Sequence, residues 1–298
     1  MKQISLKIPW LFLFAAVLTT AVFGFYFFSK AAAPKPLSAI SGVTSLTKPT
    51  VDKKNAESNS STTAPVLGET ASGMKIPILI YHYVEHVLDQ NDKLRVKMNI
   101  TPETLEQQVK SLQNRGYEMI FVKDIPAIIS SRTQTNFKPV ALTFDDGYED
   151  FYTDAFPILK ALHAKVTLYV IADYIGHPAY VSESQLREIA DSGLVEIGSH
   201  TLDHSHLLRL SLERAQQEIM DSKRKLQDTF NIKVETFAYP YGEFNDQVIS
   251  DVIGAGYTAA VSTIENVRQS EKNLYSLFRI RPGQFIGKDA GLELDNLK

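Results

Sequence analysis

From residue 75 onward the chain alternates between short, continuous apolar blocks and polar segments with helical spacing. The blocks KIPILIYHYV (75–84), KPVALTF (138–144), KVTLYVI (165–171), LVEIGSH (194–200), KVETFAY (233–239), YTAAVS (257–262) and LFRIRP (277–282) predict strands buried on both faces. Between them, TPETLEQQVKSLQNRG places Thr101 to cap, Pro102 in the first turn, Leu105, Val109 and Leu112 on one face, and Gly116 as a stop. FYTDAFPILKALHA (151–164) reads as helix, with Pro157 marking its start or a kink. SESQLREIADSG (182–193) carries a Ser182/Gln185 capping box, SLERAQQEIMDSKRKLQDTF (211–230) is a long amphipathic helix, and NDQVISDVIGAGY (245–257) a short one. Strands that alternate with helices predict an α/β domain with a mostly parallel sheet. Roughly seven such units point to a distorted or incomplete (β/α) barrel rather than a small open sheet, with the active-site loops after the strands.

Upstream the pattern changes. Residues 8–29, IPWLFLFAAVLTTAVFGFYFFS, hold no charge, and about twenty residues at ~1.5 Å each span a bilayer core. Lys2 and Lys7 precede the run, which favours residues 1–7 in the cytoplasm and the bulk of the chain outside. The alternative is a signal peptide cleaved near Ala31–Ala33, which would release the protein, but the apolar run exceeds the usual signal core of about 7–15 residues. Residues 30–74 are rich in Ala, Ser, Thr, Pro, Lys and Asn and cannot bury enough apolar surface to fold. They are expected to be a flexible linker to a domain over 75–298, in a single-pass membrane protein that contacts the lipid bilayer through its N-terminal helix.

Composition narrows the partners. The 298 residues carry a net charge of −3, and no basic patch stands out, so nucleic acid is not expected as a partner. There is no cysteine, which excludes disulfides and thiolate-bound metals.

Candidate chemistry gathers at predicted strand ends. TFDDG ends one strand in Asp145 and Asp146; SHTLDH follows another with His200 and His204; FAYPYG follows a third with Tyr241; ILIYHYV brings His82. Two imidazoles and one carboxylate form a known zinc arrangement with an open position, and nitrogen and oxygen ligands also admit other divalent ions. The second carboxylate can then act as a base toward water. Taken alone, the Asp pair also reads as an acidic turn closed by Gly147.

Together these motifs resemble the polysaccharide deacetylases of the NodB-homology type, carbohydrate esterase family 4. TFDDG matches the family's first motif, SHTLDH its second and FAYPYG its third, over about 140–282 and back to 75. The resemblance implies a NodB-type barrel. It implies one divalent metal, Zn2+ with Co2+ or Ni2+ as alternatives, held by Asp146, His200 and His204. It also implies Asp145 as general base and the Tyr241 backbone N–H as oxyanion donor. The reaction implied is hydrolysis of an acetamide to acetate and an amine.

The departures are informative. Ala238 stands where many members have an arginine that orients the catalytic Asp, leaving Arg279 or Arg281 as candidates for that role. No histidine follows His206, so the family's late general acid is missing, and Trp10 is the only tryptophan. Deacetylases of poly-β-1,6-N-acetylglucosamine resemble this chain in an early Tyr-His strand end, here YHYV, which implies His82 as general acid with His86 as the weaker substitute. The same likeness implies an N-acetylglucosamine polymer as substrate, the β-1,6 polymer ahead of peptidoglycan or a chitin-like chain. Leu142, Phe144 and Tyr239 are expected to floor the pocket, and Tyr83, Tyr148, Tyr174 and Tyr241 are candidates to stack on sugars. A catalytically inactive carbohydrate-binding protein and a deacetylase of a small acetylated sugar or ester are the competing readings.

Overall fold

The computed structural model describes residues 73–131, 136–282 and 289–297; the expected membrane segment and almost all of the linker lie outside the described residues. Among the described residues, no helix is long and apolar enough to cross a membrane.

The chain enters through β1 (Met74–Lys75), one residue earlier than the expected domain start, because Met74 pairs with Gln269. β2 (Ile78–Tyr81) and β3 (Tyr83–Val84) follow, then α1 (Lys93–Met98), β4 (Asn99–Ile100) and α2 (Pro102–Asn114). Thr101 caps α2 by accepting the Thr104 N–H, as its sequence predicts. β5 (Tyr117–Ile120) and α3 (Ile125–Ser131) lie in a stretch whose apolar spacing announced neither.

The middle of the chain alternates as expected. β6 (Lys138–Phe144), α4 (Phe156–Ala161), β7 (Val166–Val170), α5 (Glu183–Asp191) and β8 (Val195–Ser199) succeed one another. The expected single helix over 151–164 is instead a π-helical turn, Phe151–Ala155, leading into α4. Pro157 sits in the first turn of α4, where its missing N–H costs nothing. α6 (Leu212–Phe230), β9 (Thr236–Ala238), α7 (Asp246–Gly254), β10 (Ala259–Val261), β11 (Arg268–Gln269) and α8 (Ala290–Asn296) complete the described elements.

The main sheet is parallel, in the order β10-β9-β8-β7-β6-β2, with β5 against the amino-terminal half of β6. Its two edges meet through a segment expected to be a strand, 277–282. No regular strand forms there. Instead Leu277 bonds to β10 (Leu277 N–H to Ala260 O, 2.8 Å) and Ile280 bonds to β2 (Ile280 N–H to Ile78 O, 2.8 Å). The barrel is therefore closed, but by a crossing segment that touches each edge over a residue or two.

Period-two alternation divides the strands between two cores. Leu79, Tyr81, Leu142, Phe144, Leu168, Phe237 and Tyr239 pack outward with Leu105 and Val109 of α2 and Ile219 of α6. Ile78, Ala141, Tyr169, Ala238, Val261 and Leu277 form a smaller inner cluster. The inner layer is partly polar: buried Glu196 accepts the Thr167 and Thr236 hydroxyls, both at 2.8 Å. Gly198 leaves room there for the Tyr169 ring, since a Cβ at that position would stand 2.4 Å from two ring carbons.

Candidate active site

The end of β6 sends its two carboxylates in different directions. Phe144 faces the helices, so the next residue, Asp145, falls on the inner side, and its N–H donates to Tyr81 O (3.0 Å) on the neighbouring strand. Asp146 then takes a left-handed backbone (φ 74°), followed by Gly147 (φ 79°). This turn breaks the alternation and aims the Asp146 carboxylate at the end of β8. A non-glycine residue in this region is strained, and such strain is held where the surroundings over-determine it. Thr201, His204 and Tyr241 share the same backbone sign, so four left-handed non-glycine residues gather at these strand ends.

His200 leaves the end of β8 with its ring fixed: Nδ1 donates to Ala238 O at 2.8 Å, which directs Nε2 to the other side. The turn to His204 is held by side chains. Thr201 Oγ1 accepts the His204 N–H (3.0 Å), and Glu218 Oε2, from the inner face of α6, accepts the Leu202 and Asp203 N–H groups (2.9 and 3.1 Å). Both Nε2 atoms end 3.4 Å from one atom, Asp146 Oδ1.

That trio fits a divalent cation on three grounds. The three ligand atoms lie within 4.8 Å of one another. Asp146 Oδ1 is buried without a hydrogen-bond partner, although buried carboxylate oxygens ordinarily have one. Two ligands each ~2.0–2.1 Å from a tetrahedral zinc ion stand about 3.3 Å apart, which the 3.4 Å spacings match.

Asp145 is committed elsewhere. Arg279, fully buried on the crossing segment, grips it with Nη1 to Oδ1 at 2.8 Å and Nη2 to Oδ2 at 2.9 Å. The same guanidinium donates to Ser262 O (2.7 Å) and Thr143 Oγ1 (3.2 Å). Of the two arginines considered from sequence, Arg279 fills the place left by Ala238, while Arg281 pairs with Glu265 at the exposed surface.

The charges act accordingly. Burial would raise Asp145, but Arg279 and His200 outweigh it and hold its pKa below the usual carboxylate range. Burial likewise opposes ionisation of Asp146, and the histidines overcome it, so its pKa also falls. Burial and the charge of His200 lower His204 to about 4, which keeps its imidazole neutral and able to ligate near pH 7.

His82 follows β2 at the level of Asp145, since Tyr81 pairs with Phe144. Burial lowers its pKa, against the opposing pull of Asp145 and Asp146. His86 lies away at the surface, bonded to Glu103 at 3.2 Å. Tyr241 follows β9 in a left-handed turn, with its ring half-exposed and 4.5 Å from that of His204.

Two expectations need correction. Leu142, Phe144 and Tyr239 do not floor the pocket. The alternation turns them outward to the helices, and Tyr239 donates to Tyr275 O there (2.8 Å). Tyr83, Tyr148, Tyr180 and Tyr174 pack chiefly on one another, in a series with ring centroids 4.1, 5.0 and 5.0 Å apart. Tyr241 is the exposed ring among the tyrosines considered. The residue that sequence reading missed is Glu218. Its signal was present, as a carboxylate on the apolar face of α6 between Ala215 and Ser222, all three buried.

Comparison with known proteins agrees with this geometry. A family profile described as "Polysaccharide deacetylase" matches residues 132–260. The chain is 32% identical over 232 residues to the polysaccharide-deacetylase-family protein YxkH of Bacillus subtilis, covering 77% of this chain and 80% of that protein. It is 26% identical over 195 residues to the poly-β-1,6-N-acetyl-D-glucosamine N-deacetylase of Staphylococcus aureus, covering 61% of this chain and 67% of that enzyme. Among solved structures, the Streptococcus pyogenes deacetylase PplD in complex with acetate superposes with a TM-score of 0.69 and 30% identity, covering 76% of this chain and 100% of PplD. With its aspartate pair, its two histidines and its barrel all in these positions, the chain belongs to the polysaccharide deacetylase family.

Proposed function

We propose that this polysaccharide deacetylase is metal-dependent and removes N-acetyl groups from an N-acetylglucosamine polymer at the cell surface. Poly-β-1,6-N-acetylglucosamine ranks ahead of peptidoglycan and chitin-like chains as substrate, on the likeness to the staphylococcal enzyme and on the early YHYV motif. The observation that carries the reading is the division of labour between two adjacent carboxylates. Asp146 Oδ1 sits between two imidazole nitrogens, while Asp145 is turned aside and gripped by Arg279.

Asp146, His200 and His204 would hold the cation, Zn2+ in preference to Co2+ or Ni2+. A divalent ion so held acidifies water and polarises a carbonyl. Asp145, kept ionised by Arg279, takes the proton from the attacking water at its carboxylate. The Tyr241 N–H donates to the acetamide oxygen as charge grows there. His82, level with Asp145 on the adjoining strand, donates a proton to the departing amine. Acetate and a glucosamine residue result. A non-hydrolytic sugar binder is the alternative where Ala238 leaves the base without its orienting arginine, and the Arg279 fork weakens it.

We further propose that residues 8–29 anchor the chain in the bacterial membrane and that residues 30–74 let the domain reach polymer outside the cell. The decisive experiment measures acetate release by the full-length chain from β-1,6 and β-1,4 N-acetylglucosamine oligomers and from peptidoglycan. The expected result is release that is strongest on the β-1,6 series and abolished by a chelator. Turnover that survives chelation would overturn the metal assignment. Oligomer binding without acetate release would favour the binder.

A further inference from the structure

Two residues outside the proposed machinery brace it from the open side. His206 lies two positions beyond the ligand His204, and its ring stacks flat on Tyr241, with centroids 3.7 Å apart and planes 5° from parallel. His206 is in turn fixed by Glu243, its Nδ1 donating to Oε2 at 3.0 Å. The Tyr241 ring also meets the His204 ring at 4.5 Å and 60°. A continuous series therefore runs Glu243–His206–Tyr241–His204.

The last two residues of that series are both strained, Tyr241 at φ 59° and His204 at φ 62°. Left-handed backbone persists in a non-glycine residue only where its surroundings hold it. Gly242 secures the far side of the turn. It is also left-handed (φ 71°), and it packs so closely on Thr263 that a Cβ would stand 2.0 Å from Oγ1. On the near side, the ring stack is what grips Tyr241, which is 52% exposed.

We infer that His206 and Glu243 are positioning residues, whose stack on Tyr241 sets both the direction of the Tyr241 N–H and the seat of the His204 ring. The inference rests on the proposed function, which assigns the oxyanion and ligand roles to Tyr241 and His204. Neither His206 nor Glu243 touches the reacting atoms in this scheme. A small misplacement of a catalytic group is enough to cost orders of magnitude in rate.

The test compares His206→Ala, His206→Phe, Glu243→Ala and Glu243→Gln in the full-length chain. Two quantities are read: Zn2+ affinity, by titrating metal-stripped protein with Zn2+ against a chromophoric chelator, and kcat and KM on an N-acetylglucosamine oligomer. His206→Ala should weaken Zn2+ binding about threefold to tenfold, the scale of one aromatic pair. It should lower kcat about tenfold to a hundredfold with little change in KM, less than outright loss of an oxyanion donor. His206→Phe keeps a stacking ring and should recover most of the Zn2+ affinity. Glu243→Ala should behave as a milder His206→Ala, and Glu243→Gln, which retains an acceptor, should stay near wild type. Wild-type Zn2+ affinity and kcat in His206→Ala would overturn the inference, and so would His206→Phe as impaired as His206→Ala. A wild-type chain that binds no Zn2+ or releases no acetate would instead strike at the proposed function.

Discussion

Arg279 and Asp145 close on each other as a two-bond fork inside the barrel, across 134 positions of sequence. The arginine arrives on the crossing segment that joins the sheet's two edges, so barrel closure and orientation of the proposed base are one event. Both groups are buried. Removing one partner of a buried pair leaves an uncompensated charge, at a cost of about 3–5 kcal/mol. Arg279→Met should therefore lower the melting temperature markedly. Its pH behaviour follows from the direction of the Asp145 shift. With its folded pKa depressed, Asp145 contributes stability that is complete above its unfolded value of 3.8 and is lost as pH falls through the lower folded value. Without Arg279, burial is opposed only by His200 and His82, so that pKa rises from its wild-type position. The acid limb of the pH–rate profile should then move to higher pH, and an unmoved limb would show that Arg279 does not tune the base.

The two carboxylates should separate by variant. Asp145→Asn removes the proposed base without touching Asp146 Oδ1, so Zn2+ binding should survive while turnover falls by about 10²–10⁴, the usual worth of a general base. Asp146→Asn and His200→Ala remove proposed ligands and should lose both. Metal content by elemental analysis, beside acetate release, checks the assignment. Equal metal loss in all three would reverse it.

His82→Ala and His82→Gln should slow acetate release by about 10²-fold or more while the fold stays intact by circular dichroism. His82 is one position past β2 and level with Asp145, and the role proposed for it is toward the leaving amine rather than the metal. Zn2+ affinity should therefore change little. Unimpaired turnover in both variants would remove His82 from the mechanism.

Gly198→Ala probes the barrel interior. The added methyl would press on the Tyr169 ring at 2.4 Å and approach Thr236 Oγ1 at 3.1 Å. Overpacking of this kind costs about 1–3 kcal/mol. The variant should melt at lower temperature, with metal affinity reduced less than stability, because Gly198 lies two residues before His200, inside β8. A melting temperature equal to wild type would mean that the inner layer has slack the packing does not show.

Several features were legible in the sequence because they are local. Seven apolar blocks foretold the sheet, and six became regular strands. The Thr101 and Ser182 caps form as their spacing predicts. The motif residues His82, Asp145, Asp146, His200, His204 and Tyr241 stand at predicted strand ends, and the resemblance supplies the roles proposed for them. What composition and periodicity could not convey was direction. Leu142 and Phe144 read as pocket floor, yet a period of two along β6 turned them outward and left Thr143 and Asp145 inside.

The sequence alone determined which side chains stand at which strand ends, because apolar runs, caps and glycine turns act over a few residues. Only the tertiary structure decided that Arg279 rather than Arg281 meets Asp145. It also decided that Glu218 braces the turn between the two histidines, and that Asp146 Oδ1 falls 3.4 Å from both imidazoles. Those relationships join segments from about fifteen to more than a hundred residues apart. They depend on barrel closure and on left-handed backbone at non-glycine residues held by packing, and no local pattern of residues encodes either.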